Sequence, residues 1–112
     1  MKVKEQKELT LDDKIIAWKE EHKKIYMTII DGNNYIWRRI KRKEYAEIMA
    51  IEAENIDERI YERQIAITKK VILNMPIEEL EKDLEELSGL APSIAEEVLA
   101  KSGFTITTTI EL

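Results

Sequence analysis

KIYMTIIDGNNYIWRR, residues 24–39, is the stretch on which the fold turns. Lys24 to Ile30 is rich in β-branched and aromatic residues, Asp31-Gly32-Asn33-Asn34 carries turn chemistry, and Tyr35 to Arg39 resumes the strand pattern. The segment predicts a β-hairpin. N-terminal to it, the Thr10 hydroxyl is placed to cap a helix, with Asp12 and Asp13 in the positively polarised first turn. A helix is expected from Leu11 to Glu21, with Leu11, Ile15 and Trp18 in a narrow apolar stripe and Ile16 beside it. A stripe so thin needs a partner surface.

On the other side of the hairpin, Lys41 to Glu54 holds helix formers with Tyr45, Ile48, Met49 and Ile51 on one side, and Asn55 interrupts it. Asp57 is the expected cap of a helix over Glu58 to Leu73. That helix spreads Ile60, Tyr61, Ile65, Thr68, Val71 and Ile72 over a broad face and is expected to be the central, most buried one. Pro76 fits the first position of a helix over Ile77 to Leu87, with Ser88-Gly89 as a left-handed stop. Pro92 repeats the device for a last short helix, Ser93 to Lys101, ended by Gly103. From Phe104 to Leu112 apolar residues and threonines alternate, the pattern of a strand that adds to the hairpin edge or to a neighbour's sheet. The fold class is therefore α+β: a β-hairpin followed by three to four packed helices, with an additional N-terminal helix and a C-terminal strand. A flexible polar segment at 1–9, a single domain over 10–104 and a strand tail at 105–112 describe the expected organisation.

The 112 residues suit one hydrophobic core, and the 44% apolar content supplies it. Charged residues make up 37%, above the roughly 25% of an average chain, so the surface is heavily solvated. Without cysteine there is no disulfide framework or thiolate chemistry, and no run approaches the roughly 20 apolar residues of a membrane span. A soluble protein of the cytoplasm is expected, with no membrane partner. The net charge of −5 speaks against nucleic-acid binding by the whole surface, but the charge is unevenly placed. Arg38, Arg39, Lys41, Arg42 and Lys43 are cationic, and Glu78 to Glu86 holds six acids against one lysine. A positive and a negative end are expected, suited to head-to-tail or partner contacts and to a homo-oligomer.

Catalytic chemistry finds little to build on. The one imidazole, His22, lies between acidic neighbours and Lys23 at a helix end, without the partners of a triad or a metal site. Glu78/Glu79 and Glu96/Glu97 are adjacent pairs that diverge around a helix rather than converge on one atom. The three glycines stand apart and form no phosphate loop. No enzyme activity, cofactor or metal is expected. The feature nearest a binding site is Tyr35 to Tyr45, which interleaves aromatic and basic residues as single-strand binders do. Strand alternation would put Tyr35, Trp37 and Arg39 on one face and Ile36, Arg38 and Ile40 on the other, the pattern of ordinary core and surface. Trp18 suits the core, and the whole first helix also suits a detachable arm docking on a client. The candidate protein-binding residues are Ile15, Trp18, Trp37, Arg38, Arg39, Arg42, Ile106 and Ile110.

Two longer stretches, YIWRRIKRKEYAEIM (35–49) and SIAEEVLAKSGF (93–104), carry a resemblance. A strand of aromatic and basic residues running into Arg42-Lys43-Glu44-Tyr45, and a late helix ending in Ser102-Gly103-Phe104, resemble the tail assembly chaperones of long-tailed bacteriophages and of related phage-like elements. The resemblance spans about Ile25 to Phe104. It implies a protein that binds tail structural proteins, the tape-measure protein above all, and keeps them soluble during virion assembly in the host cytoplasm. It carries no catalytic residues over. Two other functions fit the same residues: a structural tail or baseplate component joined to neighbours by strand addition, and a nucleic-acid-binding regulator using residues 38–43.

Overall fold

In the computed structural model, which describes residues 10–104 and 108–112, the hairpin forms at the quoted stretch. Strands β1 (Ile25–Ile30) and β2 (Asn33–Arg38) pair antiparallel, with Ile30 opposite Asn33 and Ile25 opposite Arg38. The loop is therefore the two residues Asp31 and Gly32, at φ 53° and 79°. Two positive φ values give the turn whose twist matches that of the flanking strands, and Asp-Gly adopts it at low cost. Around the hairpin lie α1 (Leu11–His22), α2 (Arg42–Met49), α3 (Ile56–Val71), α4 (Ile77–Glu86) and α5 (Leu90–Lys101). The molecule is a small α+β fold, as the pattern of strand and helix signals predicts.

The two faces of the hairpin are unequal. Tyr35 and Trp37 belong to the main core with Ile67, Val71, Leu80, Leu90, Ile94 and Val98, and Tyr26 and Ile30 pack against it. Ile36, buried to 3% exposure, points the other way and stands apart from that cluster. β2 also has partners at both edges: Leu73 N–H donates to the Ile36 carbonyl at 2.8 Å, and Trp37 bridges Ile72. Asn74 continues the pairing with its side chain, accepting from Ile36 N–H at 3.0 Å and donating to the Asn34 carbonyl at 3.0 Å. An amide side chain thus stands in for a third strand. β1 keeps an edge with no backbone partner among the described residues.

The helices correct several expectations. The most buried element is α5, with Leu90, Ala91, Ile94, Ala95 and Val98 at 1% exposure or less, rather than α3. The small side chains of Ala91 and Ala95 allow α5 a close approach to α3, its main helical neighbour. In α3 the buried residues are Ile67, Thr68 and Val71, whereas Ile60 is 48% exposed because it lies in the first half of the helix, away from that contact. Asn55, not Asp57, caps α3 by accepting from Glu58 N–H at 2.7 Å. α2 stops at Met49, five residues short of the expected end, where Arg63 donates to the Met49 and Ile51 carbonyls. Gly89 is not a left-handed stop: at φ −87° it is the residue from which α5 starts. Pro92 then lies in the first turn of α5, where its missing N–H leaves no bond unmade.

The expected C-terminal strand lies partly outside the described residues, Ile106 included, as does the polar segment 1–9. Thr108 to Leu112 are described, form no strand and are exposed. Among the described residues no helix is long and apolar enough to cross a membrane.

Candidate protein-binding face

The aromatic and basic run separates once folded. Tyr35 and Trp37 are core residues at 0% and 1% exposure. The Trp37 ring stacks on Tyr26 at 4.7 Å, and its indole N–H donates to the Thr28 hydroxyl at 2.9 Å. Neither ring is open to a base or a partner, which removes Trp37 from the candidate contact residues. Arg38 is engaged as well: it donates two bonds of 2.9 Å to the Glu44 carboxylate, and others to the Lys70 and Arg39 carbonyls. Arg39, Lys41, Arg42 and Lys43 remain exposed.

The two stretches that carried the family resemblance meet in space. Glu44 accepts from Lys41 N–H at 2.9 Å while holding Arg38, so one carboxylate both starts α2 and ties it to β2. Burial disfavours its charged form, but the Arg38 guanidinium and the Lys41 N–H outweigh this and hold the carboxyl below its ordinary range. At the far end of the chain, the Ser102 hydroxyl accepts from Ile40 N–H at 3.1 Å, Gly103 takes φ 106°, and Phe104 N–H donates to the Leu99 carbonyl. That cap sets the Phe104 ring 4.6 Å from Tyr45. Both sequence motifs thus have a local structural role, joining α2, α5 and the end of β2.

The elements outside the main core include α1, the most exposed of the helices. α1 starts in a full capping box, in which Thr10 accepts from Asp13 N–H at 3.1 Å and Asp13 reaches back to Thr10 N–H. It buries no residue fully: Ile15 and Trp18 are half-buried, while Leu11 and Ile16 are 53% and 59% exposed. Leu11, Lys14 and Trp18 border a groove whose other wall is Leu73 to Pro76. Ile16, two residues and about 200° around the helix from Lys14, stands on the opposite flank. The outward residues of β1, Met27 and Ile29, remain 56% and 62% exposed. Met27 and Ile29 thus leave exposed apolar side chains on one face of β1, the strand whose edge has no backbone partner among the described residues.

Of the residues singled out in the sequence, Trp18 lines the groove and Ile15 is half-buried on α1, Arg39 and Arg42 lie at the open end of the hairpin, and Ile110 is 75% exposed on the tail. Met27 and Ile29 escaped the sequence reading. Their signal was present, since strand alternation places them opposite Tyr26 and Thr28, but only the position of α1 shows that they stay uncovered. No known protein family, no characterised protein and no solved structure matches the chain.

Proposed function

We propose that the chain is a client-binding protein of the tail assembly chaperone kind, holding an apolar segment of a tail structural protein, the tape-measure protein first, on the outer face of the hairpin. The observation that carries the reading is the exposed pair Met27 and Ile29 on β1, beside an open strand edge. Apolar side chains offer affinity without demanding one sequence, and an unpaired edge supplies backbone hydrogen bonds to an extended client. A lightly held α1 suits a partner that must later be released, because little packing resists its displacement.

Co-expression with the tape-measure protein of the same genome tests this. A soluble complex is expected, absent from finished particles. Met27→Ser with Ile29→Ser should weaken it on the order of 10- to 30-fold, from about 1 kcal/mol for each half-exposed side chain. A client that stays insoluble, or a complex indifferent to the double substitution, overturns the reading. The open edge of β1 also favours a second reading, a structural tail component joined to its neighbours by strand addition. Stoichiometric presence in purified particles would select it.

A further inference from the structure

We infer that copies of this chain associate head to tail, the open end of one hairpin seating against the turn end of the next. Six-residue strands separate these ends by roughly 20 Å, and the fold collects opposite charge at each. At the open end, Lys23 and Lys24 precede β1 while Arg39, Lys41, Arg42 and Lys43 follow β2, all of them exposed. Lys101, at the end of α5, adds its ammonium 6.0 Å from the Tyr26 ring. The acids there are fewer than the cations: Glu44 is spent on Arg38, leaving Glu20 and Glu21 at the end of α1, Glu47 on α2 and Glu97 on α5. At the turn end, Asp31 and Glu86 rim a notch of about 430 Å³ floored by Ile30, Leu87 and Leu90. Glu78, Glu79 and Glu85 continue the negative surface, whereas Glu81 pairs with Lys69 at 2.7 Å and Asp83 accepts from the Tyr35 hydroxyl; Lys82 is the sole cation of that helix.

A second copy is the occupant this arrangement selects. The chain carries both halves of the match on one body, so every copy offers what the next requires. A nucleic acid would meet a molecule of net charge −5 whose stacking rings, Tyr35 and Trp37, are buried. Unlike ends make a heterologous contact, which propagates into a row or closes into a ring instead of stopping at a dimer. Met27 and Ile29 take no part in it, so a row of copies would still present its client faces.

Sedimentation of the full chain at low ionic strength should show species growing beyond a dimer with concentration and dissociating as salt shortens the screening length from about 30 Å to 10 Å or less. R39Q/R42Q and D31N/E86Q, all at exposed positions, should each be monomeric alone. Mixed, they should form a 1:1 dimer and stop, because one intact end of each kind remains. A wild-type monomer at every concentration overturns the inference, as does either variant self-associating alone or a mixture that fails to pair. Salt-sensitive binding of a single-stranded oligonucleotide by a monomeric wild type would assign the basic end to nucleic acid instead. Because the client assay depends on Met27 and Ile29, it separates failure of this inference from failure of the proposed function.

Discussion

Glu44 joins β2 to α2 through one carboxylate, since it holds the half-buried Arg38 guanidinium and accepts from the N–H of Lys41, the residue that leads into α2. Its carboxyl is held below the ordinary value of 4.5, so the folded state favours the charged form. The stability it contributes is present above that value and is lost as the pH falls through the lower folded value. Glu44→Gln should lower the melting temperature at neutral pH and flatten the acid limb of a stability-versus-pH curve, as thermal unfolding measured from pH 7 down to 3 will show. The loss is about 1–2 kcal/mol, toward the low end for a charge-assisted pair because the carboxylate is partly solvated. Gly103 is the second residue on which a joint depends. At φ 106° no clash awaits a Cβ, yet the backbone itself resists any other residue, so Gly103→Ala should cost about 1–2 kcal/mol in denaturant unfolding. The Tyr45–Phe104 contact should loosen with it.

Among the elements, α1 and α5 stand at opposite extremes. α5 has five residues buried at 1% exposure or less, and α1 has none. Amide exchange should therefore run at least about 100-fold faster in α1 than in α5, because opening α1 uncovers only the half-buried Ile15 and Trp18. Equal protection would mean that α1 belongs to the main cooperative unit, and would weaken its role as a displaceable arm. The two tryptophans report on this directly. Trp37 is sealed under Tyr26 and bonded to Thr28, whereas Trp18 borders a groove. Trp18→Phe should leave a blue-shifted emission that acrylamide quenches weakly, and Trp37→Ala should unfold or severely destabilise the chain, by about 3–5 kcal/mol.

At the scale of the whole molecule, the inner face of the hairpin is occupied by the helical core, the outer face leaves Met27 and Ile29 exposed, and cationic and acidic residues gather at opposite ends. Salt should consequently separate two kinds of binding: weakening the association of copies while leaving capture of an apolar client nearly unchanged. Measuring both in one salt titration tests that division.

The sequence by itself determined what is local. Asp31-Gly32 has the positive-φ tolerance that a two-residue hairpin loop demands, Thr10 the oxygen that caps α1, and Gly103 the freedom to end α5. Each such signal acts within a few residues, where chain geometry leaves few alternatives. The charge asymmetry was equally legible, since opposite runs at 38–43 and 78–86 need only be placed apart. Burial and pairing, by contrast, were decided between distant segments. Asn74 became a strand mimic because β2 brought Ile36 and Asn34 to it, and Arg38 lost its availability because α2 presented Glu44. Met27 and Ile29 were left open for the same reason: an alternating strand specifies two faces, but only the tertiary structure decides which one a neighbour covers.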